Sequence, residues 1–321
     1  MALHKDAPPQ EKIELPPHMS WSSLSSWLEC GERWRLTRGH HYPESTWYAT
    51  LAGSAIHSIT EWIDRAVYSG SDWMDASLDS PSFEELFEES VKKKQEDGLE
   101  VKASGRQGKT LTESGGPNKK DYNWWLEFGP EYIDRWVNWR MANPNWHIAD
   151  INGSPGIELE VTLDIGDTTI LGYIDRVFEI DGSYAILDLK TGAVPAGVLQ
   201  MATYAIMLKE QTCIEPDSMY YWTPTTKRGD KPGLGTVTGP FNVHAYDLIH
   251  ISDMYRHARH GIEAGIFIPH VTNMCRSCPV RDQCWAVGDG SPYGVPIRSE
   301  FASRENSGTL ETTDNRKEGN D

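Results

Sequence analysis

The sequence predicts an α/β fold in which a mixed central β-sheet is flanked by helices. Segments on both sides of residues 156–190 carry apolar residues at i, i+3 and i+4, which is helical spacing, whereas residues 156–190 are typical of successive strands. With 321 residues, 38% of them apolar, the chain is large enough and apolar enough to bury a core.

The predicted elements start after residues 1–19, a polar segment with four prolines that we expect to be a flexible arm. A helix then begins near Ser20, because Ser20 or Ser22 can cap it and an apolar stripe follows. The folded domain is predicted to span residues 20–288. The other predicted elements are helices over 51–68, 82–97, 122–141, 197–210 and 245–265, strands within 156–190 and at 219–223, and a polar, disordered tail over 289–321.

The charge balance restricts the possible partners. Lys and Arg number 30 against 47 Asp and Glu, which gives a formal net charge of −17. Such a chain does not adhere broadly to nucleic acid, so a nucleic-acid partner requires a local basic surface or bound metal ions. No apolar run approaches the ~18–20 residues of a membrane helix and no secretion signal is visible. We therefore expect a soluble, cytoplasmic protein without a membrane partner.

A predicted hairpin carries the acids of most interest. Asp-Gly at 181–182 is the dipeptide that two-residue hairpin turns prefer, and folding there places Asp175 opposite Asp188. Because side chains alternate along a strand, Lys190 shares their face. Two like charges directly opposed destabilise a strand pair, and a divalent cation between them reverses that effect. The alternative is a solvent-facing surface whose acids are neutralised by lysines.

The preceding strand brings two more acids to this face. A turn at either 165–166 or 166–167 places both Glu158 and Glu160 on the side of the sheet that carries Asp175. One of these acids would complete a metal site.

These motifs resemble a known family. G-Y-I-D-R-V at 172–177 followed by I-L-D-L-K-T-G at 186–192 resembles the core of the PD-(D/E)xK nuclease superfamily, in particular the RecB-like exonucleases and their CRISPR-associated relatives. Asp175 matches the first acid of that core, and Asp188-Leu189-Lys190 matches the (D/E)xK element. The family's Q-x3-Y motif matches Gln200–Tyr204, and its G-x3-H motif matches Gly53–His57.

The resemblance implies a restriction-endonuclease-like core and a Mg²⁺- or Mn²⁺-dependent DNA exonuclease that acts in recombination, repair or replication. The substrate would be single-stranded DNA or duplex ends, and a separate helicase or recombination protein is a possible partner. Lys190 would stabilise developing charge, with Gln200 and Tyr204 orienting it, and Arg176 would add positive charge for the DNA. The implied metal ligands are His57, Asp175, Asp188, the carbonyl of Leu189 and Glu160, with Glu158 as a rival to Glu160.

Two other functions are compatible with the motifs. One is a DNA-binding recombination partner that assists a helicase and has little nuclease activity of its own. The other is a structural scaffold held by zinc. Digestion of DNA by the purified chain distinguishes the first from a nuclease, and metal analysis distinguishes the second.

The cysteines form a separate motif. Five cysteines without a secretion signal do not indicate a disulfide framework. Cys275, Cys278 and Cys284 form C-x2-C-x5-C, and Cys30 lies far upstream, an arrangement similar to that of family members with a 4Fe–4S cluster. The resemblance implies an iron–sulfur staple that joins the N- and C-terminal parts of the chain. Spacing alone leaves zinc open, with His270 as an alternative ligand. Cys213 is expected to be a small buried apolar residue.

Residues 98–120 form a basic insert in an acidic chain. They are rich in Gly and Ser, lack apolar periodicity, and carry five basic against two acidic residues. The insert is either a mobile surface loop with incidental charge or a flexible flap that closes on the DNA backbone. The residues predicted to bind DNA are Lys102, Arg106, Lys109, Lys119 and Lys120.

Overall fold

The fold of the chain is given by a computed structural model, which describes residues 13, 15–107, 118–225 and 233–287. Within these ranges no helix combines the length and the apolar character that crossing a bilayer requires. The Ser20 hydroxyl caps the first helix by accepting a hydrogen bond from the Ser23 N–H. The helices are α1 (Trp21–Glu29), α2 (Gly31–Trp34), α3 (Tyr48–Tyr68), α4 (Trp73–Leu78), α5 (Phe83–Glu96), α6 (Tyr122–Ala142), α7 (Leu199–Thr212) and α8 (Leu248–Glu263).

The strands build a mixed central sheet and three short pairs. The central sheet has the order β1-β10-β11-β12-β13, and β6 and β9 also pair with β10. The pairs β1–β10 and β11–β12 are parallel, and the others in this sheet are antiparallel. The strands are β1 (His18–Met19), β2 (Thr46–Trp47), β3 (Val101–Lys102), β4 (Ser104–Gln107), β5 (Asn118–Lys120), β6 (His147–Ile148), β7 (Asp150–Ile151), β8 (Ser154–Pro155), β9 (Ile157–Ile165), β10 (Thr168–Ile180), β11 (Ser183–Leu189), β12 (Ser218–Thr223) and β13 (Thr236–Phe241).

The β10–β11 hairpin has the register that the sequence predicts. Asp181 and Gly182 both adopt positive φ angles, 51° and 84°, as a tight turn of this kind requires. Ile180 pairs with Ser183, and the pairing continues through Arg176 and Leu187. Asp175 and Asp188 are the next residues in this register, at the point where the two strands separate.

Two apolar cores cover the two faces of the sheet. Alternate residues of β11 point to opposite cores, so that Ile186 contacts one and Leu187 the other. The first core packs α1, α7 and α8 against the sheet, and the second packs α3, α5 and α6 against it, with most of the buried tryptophans. The prediction of a mixed sheet flanked by helices is therefore confirmed.

Three features differ from the prediction. The end of the predicted flexible arm belongs to the fold, because His18–Met19 pairs with β10 and Met19 is buried. The basic insert contains paired strands, β4 and β5, on either side of residues 108–117, which lie outside the described ranges. Nor does the sequence pattern predict α4, β13 or the two-residue strands β2, β6, β7 and β8. The predicted tail over 289–321 lies outside the described residues.

Candidate active site

Three side chains with metal-ligating atoms meet at one edge of the hairpin. His57 comes from α3, Glu158 from the start of β9 and Asp175 from β10, and one ligand atom of each lies within 4.8 Å of the other two. His57 Nδ1 is 3.8 Å from both Glu158 Oε1 and Asp175 Oδ2. Imidazole nitrogen and carboxylate oxygens are protein ligands of divalent metals. This group can therefore hold a divalent cation.

The charge of His57 depends on its two acidic neighbours. Burial acts to lower the pKa of His57, but Asp175 and Glu158 outweigh burial, so the pKa lies above its ordinary value. The two carboxylates therefore favour the protonated imidazole, whose charge would offset their mutual repulsion. A metal ion bound to this nitrogen would compete with that proton.

A glycine allows α3 to approach the sheet closely at this site. A Cβ atom added to Gly53 would lie only 2.8 Å from Thr191 Oγ1, just beyond the end of β11. Gly53 precedes His57 by one helical turn, so the two residues lie on the same side of α3. The G-x3-H pattern thus has a steric meaning: the glycine admits the contact, and the histidine reaches the acids.

Asp188 is the most deeply buried acid of the site, with 3% of its surface exposed. Burial, followed by the charge of Asp175, raises its pKa to about 7, although Lys190 acts in the opposite direction. Lys190 Nζ lies 2.7 Å from Asp188 Oδ2 and forms an ion pair with this buried oxygen. Asp188 is not one of the three residues whose ligand atoms all lie within 4.8 Å of one another, so its contact with a metal ion in this site remains a prediction.

Asp175 is held at the end of the hairpin by the backbone. Its Oδ2 accepts a 2.7 Å hydrogen bond from the Leu189 N–H, which replaces the ladder bond lost where the strands separate. The Leu189 side chain is buried in the core. The predicted metal contact of the Leu189 carbonyl remains a prediction.

Lys190 begins a short chain of polar contacts. Its Nζ donates to Gln200 Oε1 at 3.2 Å, and Gln200 Nε2 donates to the Tyr204 hydroxyl at 3.3 Å. Burial raises the pKa of Tyr204 to about 12, so its hydroxyl stays neutral. A Cβ atom at Gly172 would lie 2.7 Å from the Tyr204 ring, so this glycine makes room for the tyrosine. The Q-x3-Y motif therefore faces the hairpin, as predicted.

Glu160, predicted as a metal ligand, lies outside the cluster. It pairs with Tyr173 across the β9–β10 ladder, and its Oε2 accepts a 2.8 Å hydrogen bond from the Tyr173 hydroxyl. Glu158 is two residues closer to Asp175 along the strand, a distance of about 6.6 Å. The structure therefore brings Glu158, and not Glu160, to His57 and Asp175.

Arg176, predicted to contact DNA, is fully buried, and this prediction is wrong. No part of its surface is exposed, and its Nε donates to Asp64 Oδ2 at 2.7 Å. Asp64 itself was missed by the sequence analysis. It lies on α3 seven residues after His57, beside the apolar stripe that ends in Ile63. An acid at the edge of a buried stripe is unusual, because acids are rarely buried without a partner.

One lysine of the basic insert also points inward. Lys120 Nζ lies 4.8 Å from the ring centroid of Trp124 and 5.6 Å from that of Trp125, and it donates to the Tyr132 hydroxyl at 3.4 Å. Burial lowers the pKa of Lys120. Its ammonium group therefore packs on aromatic rings and is not free to contact a DNA backbone.

The other predicted DNA-binding residues of the insert differ in their surroundings. Lys119 is exposed, whereas Lys102 forms a 3.2 Å ion pair with Glu100. Arg106 lies on β4, and Lys109 falls outside the described residues. Of Lys102, Lys119 and Lys120, Lys119 is thus the one best placed to reach a ligand.

The four cysteines of the predicted cluster line one small cavity between the start of α2 and the C-terminal part of the chain. Cys30 Sγ accepts a hydrogen bond from the His270 N–H at 3.3 Å, and Cys275 Sγ accepts one from the Thr272 N–H at 3.4 Å. Among the described residues no three cysteine sulfurs lie within 4.8 Å of one another, so they do not converge on a single point.

Cys213 is exposed, contrary to the prediction that it is buried. It caps the C-terminus of α7 with a φ angle of 62°. A residue at that position turns away from the helix, so its side chain leaves the packed face that the helical spacing predicts.

The chain belongs to the PD-(D/E)XK nuclease superfamily, whose family model matches residues 18–285. Members of this superfamily are nucleases and use divalent metals such as Mg²⁺ or Mn²⁺. The matched residues include the whole central sheet and every side chain of the candidate site.

Two phage proteins and one solved structure are similar to the chain. The gene 69 protein of Mycobacterium phage D29 is 25% identical over 181 residues, covering 51% of this chain and 66%, just under two thirds, of that protein. The gene 69 protein of Mycobacterium phage L5 is 22% identical over 309 residues, covering 84% of this chain and 97% of that protein. The match to the crystal structure of SSO0001 covers 85% of this chain and 96% of the SSO0001 chain, with 10% sequence identity and a TM-score of 0.32.

Proposed function

We propose that the chain is a metal-dependent DNA exonuclease that hydrolyses phosphodiester bonds and acts in recombination, repair or replication. Membership of the nuclease superfamily supports hydrolysis of nucleic acid, and the RecB-like motif order supports an exonuclease acting on DNA. The observation that carries the proposal is the group formed by His57, Glu158 and Asp175, whose ligand atoms lie within 4.8 Å of one another, beside the buried Asp188 and its 2.7 Å ion pair with Lys190.

Each residue of the site has a distinct role in this proposal. Bound Mg²⁺ or Mn²⁺ supplies an acidified water and neutralises charge on the scissile phosphate. The ligands are His57, Glu158, Asp175 and Asp188, with the Leu189 carbonyl as a further candidate. Lys190 places its ammonium beside the metal ligands, where it can stabilise negative charge that develops on the phosphate oxygens. Gln200 and Tyr204 fix the position of that ammonium.

Digestion of end-labelled single-stranded and duplex DNA tests the proposal. We expect degradation from the ends with Mg²⁺ or Mn²⁺ and none with EDTA. Asp188→Ala and Lys190→Ala should abolish digestion while the protein stays folded, whereas Glu160→Gln should stay close to wild type because the Glu160 carboxylate is engaged by the Tyr173 hydroxyl and not by the site. DNA binding without metal-dependent digestion would identify the chain as a recombination partner instead. Cleavage that Lys190→Ala leaves intact would refute the assignment of the site.

We also propose that Cys30, Cys275, Cys278 and Cys284 hold a 4Fe–4S cluster that joins the two ends of the domain. Their shared cavity and the N–H···S hydrogen bonds support this, since such bonds stabilise cluster thiolates. The thiolates of such a cluster bind different irons, so they need not converge on one point. The cluster would act as a structural link and not in the hydrolysis.

Anaerobic purification tests the cluster. The protein should be brown and contain about four iron and four sulfide per chain. Cys30→Ala should bleach the protein and lower its unfolding temperature, whereas Cys213→Ala should leave the colour unchanged because Cys213 lies on the exposed end of α7. Stoichiometric zinc without iron would favour a zinc site of the same residues.

A further inference from the structure

Arg176 lies beneath the candidate metal site with every side-chain nitrogen engaged. Its Nε donates to Asp64 Oδ2 at 2.7 Å, and its Nη1 donates to the Asp175 carbonyl at 2.6 Å and to Glu158 Oε1 at 3.4 Å. Its Nη2 donates to Thr60 Oγ1 at 3.4 Å. One fully buried guanidinium thus contacts the backbone of one candidate ligand and the carboxylate of another.

Asp64 alone does not balance the charges of the two arginines that contact it. Asp64 is fully buried and accepts hydrogen bonds from Arg176, from Arg140 Nε at 3.1 Å and from Trp136 Nε1 at 3.0 Å. Two buried guanidinium groups therefore share one buried carboxylate. A buried cation needs a counter-charge, and the second carboxylate in contact with Arg176 is Glu158. Arg176 consequently attracts the Glu158 side chain toward the site.

Glu158 also has an unusual backbone conformation. Its φ angle is +45°, a region that non-glycine residues occupy only where their surroundings hold them. The regular β9–β10 pairing extends as far as the pair Leu159–Ile174 and does not include Glu158, the residue that precedes Leu159 in the chain. Arg65 Nη2 donates to the Ile157 carbonyl at 2.8 Å and holds the chain on the other side of Glu158. The backbone therefore departs from the ladder at the position where the side chain meets Arg176.

We propose that Arg176 is a positioning residue that fixes Glu158 as the third metal-binding carboxylate, with Asp64 as its buried counter-charge. This inference rests on the proposed metal-dependent function and identifies how the chain selects Glu158 over Glu160. The competing view is that Arg176 only neutralises Asp64 within the core. The two views differ in what they predict for metal affinity once the fold is preserved.

The test measures Mn²⁺ affinity of the full chain by electron paramagnetic resonance, with the relevant site defined as the one that His57→Ala removes. Arg176→Met leaves Asp64 paired one-to-one with Arg140, so the core stays charge-balanced. We expect it to weaken Mn²⁺ binding about 10- to 100-fold, as loss of an outer-shell partner typically does. Glu158→Gln should have a similar effect, and the two changes combined should cost little more than either alone.

Additive losses, or wild-type affinity in folded Arg176→Met, would overturn the inference while leaving the metal site itself in place. A wild-type chain that binds no Mn²⁺ at the His57 site would overturn the proposed function and the inference with it. Should Arg176→Met fail to fold, Arg176→Lys keeps a positive charge beside Asp64, but its single nitrogen cannot replace the separate guanidinium contacts to Asp64, the Asp175 carbonyl and Glu158. Arg176→Lys should fold yet bind Mn²⁺ weakly, whereas a purely structural role predicts wild-type affinity. Glu160→Gln is the matched control and should retain wild-type affinity.

Discussion

The raised pKa of Asp188 makes the stability of the metal-free protein depend on pH. This acid titrates near 7 in the folded protein and near 3.8 when unperturbed, chiefly because it is buried and faces Asp175. The folded state therefore binds the proton more tightly than the unfolded state does. The contribution of Asp188 to stability is most favourable at low pH. It is lost as the pH rises from the pKa of this acid in the unfolded state to its pKa in the folded state. Asn at position 188 cannot titrate, so it removes this dependence.

The size of the effect follows from the two pKa values. Between pH 3.8 and about 7, each unit of pH increase lowers the free energy of unfolding by up to about 1.4 kcal/mol. From pH 5 to pH 8 the free energy of unfolding therefore falls by about 3 kcal/mol. We expect the free energy of unfolding of Asp188→Asn minus that of wild type to grow by about this amount over the interval. Above pH 8 the difference should be constant, because Asp188 is then ionised in both states.

Urea unfolding in EDTA at pH 5, 6, 7 and 8 measures this difference. Glu160→Gln is the control and should run parallel to wild type, since its side chain lies outside the cluster. Adding Mn²⁺ at about 100 times its dissociation constant should stabilise wild type by about 2.7 kcal/mol and Asp188→Asn by less. A stability difference that stays constant from pH 5 to pH 8 would show that Asp188 is ionised throughout, and would refute the placement of its carboxylate in a desolvated site.

Three further perturbations test neighbouring contacts. Gln200→Ala should lower kcat about tenfold, equivalent to about 1.4 kcal/mol, because Lys190 loses its hydrogen bond. Tyr204→Phe should have a smaller effect, and single-turnover digestion measures both variants. Gly53→Ala should lower stability by about 1–3 kcal/mol in thermal unfolding, since its Cβ meets a side chain across the helix–sheet contact, and an unchanged midpoint would contradict this. Lys119→Ala should reduce the salt dependence of DNA binding by about one unit of slope, whereas Lys120→Ala should lower stability instead. Identical salt plots for wild type and Lys119→Ala would show that Lys119 does not contact DNA.

The hairpin was predictable because its determinants are local. The Asp-Gly turn at 181–182 fixes the register, and alternation along the strands then fixes which acids share a face. Alternation predicts which face of the sheet a side chain lies on but not how far it lies from Asp175. On this criterion Glu158 and Glu160 are equivalent in the sequence. The structure separates them through the β9–β10 register and the positive φ of Glu158, neither of which a residue pattern reports.

The surroundings of Arg176 could not be predicted, because its partner is distant in the chain. The sequence places Arg176 directly after Asp175 and predicts a DNA contact, because phosphates require positive charge. Its burial depends on Asp64, 112 residues away on a helix whose orientation follows from tertiary packing. Similarly, the sequence shows Lys120 only as one of five basic residues in the insert. Its packing on aromatic rings follows from the position of α6, which the pattern of the insert does not predict.

In the proposed nuclease, the buried arginine affects how an acidic protein would hold DNA. Around the scissile phosphate the chain would offer three carboxylates, Glu158, Asp175 and Asp188, against two cationic side chains, Arg176 and Lys190. Arg176 is screened from solvent, so the surface that a phosphate meets is negative when these acids are ionised. With His57 neutral, as a metal ligand is, one divalent cation changes that balance from one negative to one positive charge. In the proposed nuclease the ion that would activate water would therefore also be needed to admit a phosphodiester, and a chain with a net charge of −17 would need no broad basic surface at this site.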